Sequence, residues 1–108
     1  MEIKLPIKAI SSNVCWQGRR FATKAYKQYQ KDCSWWLKGK KIEGEVEVKI
    51  KVFLKNYKRS DVDNVAKPLL DNICKAGLID DDCKIKRLVL EKYPGKENSI
   101  EINIEKYV

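Results

Sequence analysis

Between Glu45 and Lys55 apolar and charged residues alternate almost without a break. Val46, Val48, Ile50, Val52 and Leu54 fall on one side, and Glu45, Glu47, Lys49, Lys51 and Lys55 on the other. A period of two predicts a long strand with one buried and one wet face, as in an antiparallel or mixed sheet. The opening Glu2 to Ile7 repeats the pattern with Ile3, Leu5 and Ile7, and Pro6 predicts an edge position because it cannot donate to a ladder. Ile100, Ile102 and Ile104, with Glu101, Asn103 and Glu105 outward, mark a last strand. Lys84 to Tyr93 reads as a strand of weaker alternation, and Pro94-Gly95-Lys96-Glu97-Asn98 between the two predicts a hairpin loop. From Lys8 to Thr23 no clear period holds; Gln17-Gly18 predicts a turn between two short extended pieces, Val14 to Trp16 and Arg19 to Phe21.

Two segments switch to helical spacing. Thr23 stands where it caps a helix through Tyr26, Tyr29, Cys33, Trp36 and Leu37. A second helix is predicted to begin at Ser60 or Asp61, because Ser60 and Asp63 have capping-box spacing. Its apolar stripe is Val62, Val65, Ala66, Leu69, Leu70 and Ile73, its far face holds Asp63, Lys67 and Asp71, and Gly77 supplies a left-handed C-terminal cap. Pro68 in its first two turns predicts a late start or a kink. The order β-α-β-α-β-β predicts an α+β fold: a small mixed or antiparallel sheet with two helices packed on one face. With no internal repeat or linker, residues 1–108 are expected to form one domain.

Composition narrows the chemistry. Apolar residues at 44% are those of a globular protein, while charged residues at 35% leave a thin core, marginal stability and a motive for self-association. The 23 Lys and Arg outnumber the 15 Asp and Glu for a net charge of +8, which suits a polyanionic partner through counterion release. Charge alone does not decide the matter, since many small basic proteins bind nothing specific. The basic residues concentrate in the first half: Arg19, Arg20, Lys24, Lys27, Lys31, Lys38, Lys40 and Lys41. They read either as a solvated helix face or as a phosphate-tracking surface with Trp16 or Trp35 as stacking platforms, although tryptophan in so small a chain is more often core. Four cysteines, Cys15, Cys33, Cys74 and Cys83, make no C-x-x-C and follow no leader, so a reduced, intracellular protein is expected. No apolar run approaches the roughly 18 residues of a membrane span. Histidine is absent, which removes Ser-His-Asp and Cys-His hydrolysis, the usual zinc fingers and histidine acid–base catalysis. Metal-bound water is then the most accessible nucleophile for a hydrolysis.

The carboxylates for such a metal lie in two clusters, Asp61 and Asp63 before the second helix and Asp80-Asp81-Asp82 after it. From Asp63 to Ala76 a helix rises about 20 Å at roughly 1.5 Å per residue. The stretch from Ala76 to Asp82 spans about 20 Å when extended, so a chain turning at Gly77 just returns Asp82 to the helix start. If the clusters meet, Asp61, Asp63 and Asp82 offer the oxygen ligands of Mg²⁺ or Mn²⁺, and Lys67 stands within reach of a phosphate or of developing negative charge. The bland alternative is that Asp61 and Asp63 merely favour a helix start and that Asp80 to Asp82 is a solvated turn. An EF-hand is excluded, because Val65 and Ala66 stand where its loop needs Asp or Asn and then Gly.

Asp61-Val62-Asp63-Asn64-Val65-Ala66-Lys67, then Asp71, Gly77, Asp81-Asp82 and Ile85, resembles the RusA family of Holliday junction resolvases, with its D-x-D-N-x-x-K and its D-D pair four and five residues after a glycine. The match is specific over residues 59–86 and thinner elsewhere, where Leu5-Pro6 and Ser12-Asn13 are similar to the family's opening segment. Lys8-Ala9-Ile10 replaces the family's usual prolines, and the extra Asp80 leaves Asp81 or Asp82 as the third carboxylate, with the count from Gly77 favouring Asp82. The resemblance implies a small homodimeric endonuclease that binds four-way or branched DNA and, with Mg²⁺ or Mn²⁺, makes paired nicks in recombination and repair. It implies Asp61, Asp63 and Asp82 as catalytic, metal-binding carboxylates and Lys67 as the assisting lysine. Phosphate contacts are expected from Arg19, Arg20, Lys24, Lys27, Lys31 and Arg59, and the location is expected to be cytoplasmic, at the nucleoid when DNA is bound. Two rivals remain: a non-catalytic nucleic-acid-binding module of the same fold, and an interaction protein with no nucleic acid. The sequence leans against both, because inward-facing carboxylates would repel phosphate unless a cation sat between them.

Overall fold

The computed structural model describes residues 1–18 and 21–108. Arg19 and Arg20 lie outside the described residues. The elements are β1 (Glu2–Leu5), β2 (Trp16–Gln17), β3 (Phe21–Ala22), α1 (Lys24–Trp36), β4 (Val46–Leu54), α2 (Ala66–Lys75), β5 (Ile85–Pro94) and β6 (Ser99–Lys106). Single 3₁₀ turns occupy Ser12–Val14, Tyr57–Arg59, Asp63–Val65 and Asp82–Lys84.

The strand with the longest alternation takes the centre of the main sheet, whose order is β1-β6-β4-β5. β6 runs antiparallel to both β1 and β4, and β5 runs parallel to β4, so the sheet is mixed. Val46, Val48, Ile50 and Val52 are fully buried and join Leu5, Ile100 and Ile104 of the neighbouring strands. Leu69 and Ile73 of α2 and Tyr26, Tyr29 and Cys33 of α1 complete the same core, which is the expected α+β arrangement. Each fully buried Ile or Leu contributes about 2 kcal/mol by leaving water. A small β2–β3 hairpin forms around Gly18 with Trp16 opposite Ala22.

Three expectations are corrected. The loop after β5 is no hairpin: β6 pairs with β4 and β1 and makes no ladder with β5. The turn instead crosses the end of β4, with Gly95 N–H donating to Leu54 O at 3.1 Å and Lys55 N–H to Asn98 Oδ1 at 3.0 Å. A Cβ on Gly95 would stand 3.0 Å from Glu97 O and 3.1 Å from Phe53 Cβ, so any larger residue would make the crossing tight. Setting β6 against β4 joins the two strongly alternating strands and leaves the weaker β5 at the edge.

The second helix starts at Ala66, later than Ser60 or Asp61, after the turn Asp63–Val65. In a helix from Asp61 the Pro68 ring would meet the carbonyl of Asn64, four residues back; starting at Ala66 puts Pro68 in the first turn, where its missing N–H has no partner to lose. The capping box accordingly does not form, and the Ser60 hydroxyl donates to Asn56 O at 2.9 Å. Trp36 leaves the apolar stripe of α1 and is exposed, whereas Leu37 is buried. At roughly 100° per residue Trp36 falls at the margin of the stripe, and Leu37, the C-cap, leaves helical backbone at ψ 82° and is buried in the core. Thr23 caps α1 as expected: its Oγ1 accepts from Tyr26 N–H at 3.2 Å and donates to Val14 O at 2.6 Å, tying the helix start to the preceding segment.

Candidate active site

The core packing of α2 against the sheet decides where its exposed face points. Val65, Leu69 and Ile73 are buried, so Lys67 and Asp71 project outward one turn apart, with Lys67 Nζ 3.0 Å from Asp71 Oδ1. At the far end Gly77 adopts φ 75° and reverses the chain. Leu78 and Ile79 are buried behind it, and Ile79 bridges to Ile42, which lays the returning chain alongside the helix. That return brings Asp82 Oδ2 to 3.4 Å from Lys67 Nζ.

The three consecutive aspartates have separate surroundings. Asp80 accepts from Gly44 N–H at 2.9 Å and pairs with Lys41 at 2.9 Å. The Gly44 N–H first, then Lys41, holds its carboxyl below the ordinary value, so Asp80 fastens the 41–44 loop. Asp81 caps the Asp82–Lys84 turn, accepting from Asp82 N–H at 2.8 Å and from the Cys83 thiol at 3.4 Å, and these bonds likewise hold its carboxyl low. Of the triplet, Asp82 is the one in direct contact with Lys67. Lys67 thus bridges Asp71 and Asp82, and the Asp71 hydrogen bond, followed by that carboxylate's charge, raises its pKa.

Asp61 and Asp63 are exposed in the segment between β4 and α2. Asp61 lines a groove of about 640 Å³, with Arg59, Ser60 and Asn64 on one side and Ile10, Asn13 and Tyr29 among the residues opposite. Among the described residues no three Asp, Glu or Cys side chains gather closely enough to hold a metal ion. Asp61, Asp63 and Asp82 therefore fit a hard divalent cation in donor chemistry, all carboxylate oxygen, and are not drawn together in this arrangement.

The expected phosphate contacts fall on two segments, α1 and the turn before Asp61. Lys24, Lys27 and Lys31 are exposed on α1, opposite its buried Tyr26, Tyr29 and Cys33, and Arg59 is exposed beside Asp61; Arg19 and Arg20 lie outside the described residues. Trp16 and Trp35 are exposed and not core, Trp16 edge-on to Tyr26 and Trp35 beneath Lys38 Nζ at 4.6 Å. Phe21, on the hairpin, is 72% exposed. Two residues beside the site, Asp71 and Lys92, are not candidates on the sequence reading. Lys92 carries a signal all the same, since it puts a charge on the face of β5 that Leu88 and Leu90 share with the buried face of β4.

The family model of the endodeoxyribonuclease RusA matches residues 8–105 of this chain. The chain belongs to the RusA family. No curated protein matches it at a significant level. As a member of the RusA family it is an endodeoxyribonuclease of the kind that acts on Holliday junctions in DNA recombination. The matched span takes in α1, the 57–65 segment, α2 and the return to Asp82, so every RusA-like candidate residue lies inside it. No described helix is long and apolar enough to cross a membrane.

Proposed function

We propose that this chain is a Mg²⁺- or Mn²⁺-dependent, structure-selective endonuclease that resolves four-way junctions by paired symmetric nicks as a homodimer, the whole of residues 1–108 serving as one endonuclease domain. The observation that carries this is the 3.4 Å approach of Asp82 to Lys67, which brings the D-D pair back to the D-x-D-N-x-x-K segment at the start of α2. Asp61, Asp63 and Asp82 are the carboxylates we assign to the cation. When bound, such an ion acidifies water and offsets charge on the phosphodiester. Lys67, released from Asp71 or Asp82, offers its ammonium to the scissile phosphate. Of the three acids after Gly77 the assignment falls on Asp82, because Asp80 and Asp81 are taken up by Gly44, Lys41 and the backbone of their own turn. Lys24, Lys27, Lys31 and Arg59 supply phosphate contacts, to which we add Arg19 and Arg20 from their place in the sequence. Two opposed cuts in a junction of near two-fold symmetry ask for two such sites related by a two-fold axis.

The test is cleavage of a synthetic four-way junction with Mg²⁺ and with chelator, by the wild type and by Asp63→Asn. Ligatable, symmetric nicks that need both the metal and Asp63 support the reading, with molecular mass by light scattering as the check on the dimer. The second reading, a binding module of the same fold without turnover, draws on the three carboxylates not being gathered. Tight junction binding with no cleavage in Mg²⁺ or Mn²⁺ would decide for it.

A further inference from the structure

The segment between β4 and α2 that carries Asp61 and Asp63 is held by few bonds. Within it, Arg59 N–H donates to Asn56 O at 3.3 Å and the Ser60 hydroxyl donates to the same carbonyl at 2.9 Å. These bonds are local and fix the turn without fixing where it sits. Among the described residues, every hydrogen bond tying 57–62 to a distant part of the chain comes from one side chain, Lys92 of the edge strand β5. Its Nζ donates to Ser60 O at 2.8 Å and to Tyr57 O at 2.9 Å, and lies 4.4 Å from the centroid of the Tyr57 ring. An ammonium has three donors and suits this place, since two meet carbonyls while the charge faces an aromatic ring. Lys92 has no carboxylate partner among the described residues, so the turn is the whole of its polar engagement there. It is opposite Val52 in the β4–β5 register, which points it to the helix side of the sheet, and it is half-buried. Its stem runs along apolar surface while its ammonium reaches the turn.

We infer that Lys92 is a positioning residue that anchors the Tyr57-to-Ser60 turn to the sheet and thereby sets the placement of Asp61 and Asp63 for cleavage; this rests on the nuclease reading above. The bonded Ser60 carbonyl belongs to the peptide group that leads directly into Asp61, so movement of that carbonyl moves the carboxylate. Active-site groups must be held to within about 0.5 Å, and a misplacement of about 1 Å costs on the order of 10²-fold in rate.

The experiment compares the wild type, Lys92→Met, Lys92→Arg and Tyr57→Leu in the full chain. Three quantities are measured: junction cleavage against Mg²⁺ concentration, junction binding in Ca²⁺, and amide hydrogen exchange over residues 57–63. Lys92→Met is expected to cleave about 10²-fold more slowly, to need more Mg²⁺ for half its own maximal rate, to bind the junction within two-fold of wild type, and to exchange faster over 57–63. Lys92→Arg, which keeps a charged multiple donor, restores most of the rate, and Tyr57→Leu gives a smaller defect of the same kind. An unchanged Mg²⁺ requirement together with unchanged exchange over 57–63 would overturn the inference, whatever the melting temperature does. If Lys92→Met does not fold, the same two readouts on Lys92→Arg and Tyr57→Leu decide it. A wild type that cleaves no junction refutes the nuclease reading instead, and the exchange data then still show whether Lys92 anchors the turn.

Discussion

Lys67 sits with one ammonium between two carboxylates, and its 68% side-chain exposure decides what that pairing is for. Ion pairs this exposed are screened and contribute between zero and about 1 kcal/mol, so the bridge to Asp71 and Asp82 is a poor stabiliser. Lys67→Met is therefore expected to leave stability within about 0.5 kcal/mol, checked by thermal melting, while lowering junction cleavage by roughly 10²-fold or more. Because its carboxylate partners raise the Lys67 pKa above the ordinary 10.5, the side chain stays charged through the neutral range and puts no break into a pH–rate profile there. Asp80 behaves in the opposite sense. Its folded pKa is depressed below the ordinary 3.8 by Gly44 N–H and Lys41, so its stabilising effect is present above that value and is lost as the pH falls through the folded pKa. Asp80→Asn is expected to be less stable than wild type at pH 7, with the gap closing below pH 3.8; parallel chemical melts across that range test it. The buried Cys33 thiol is pushed up to about 12 by burial and stays protonated at neutral pH, consistent with a place in the core and not in chemistry.

Among the elements, α1 bears the exposed lysines and depends on a cap that does two jobs. Thr23 satisfies Tyr26 N–H and also reaches Val14 O, so Thr23→Ala removes a helix cap and a tie to the groove-lining segment together. A loss of about 1 kcal/mol is expected, readable as a melting temperature lower by several degrees. α2 shows how one residue sets an element's bounds. Pro68 moves the helix start to Ala66, and the chain before it becomes two short turns whose carboxylates are exposed and not locked into a helix. β5 owes its place to its weak alternation. As an edge strand with one paired side, it has an inward lysine free to reach over to the Tyr57–Arg59 turn.

For the molecule as a whole, a net charge of +8 coexists with an acidic site, and the two are separated in the fold: lysines along α1, carboxylates before and after α2. Replacing Lys24, Lys27 and Lys31 together with Gln is expected to flatten the plot of log junction affinity against log salt by roughly 2 to 3 units, measured by fluorescence anisotropy from low to moderate salt. The loss should be similar for junctions of different sequence, since phosphate contacts carry no base information. The amino-acid sequence by itself determined the α+β class, the strand and helix order, the Thr23 and Gly77 caps and the cluster of candidate residues around α2. Those follow from period, capping and motif, which act over a few neighbouring residues. Only the tertiary structure decided that β6 lies between β1 and β4, that Asp80 and Asp81 have structural partners while Asp82 meets Lys67, and that Lys92 holds the turn before Asp61. Each of these joins residues far apart in the chain, and which of several chemically equal aspartates or lysines finds a partner depends on packing geometry that no local pattern encodes.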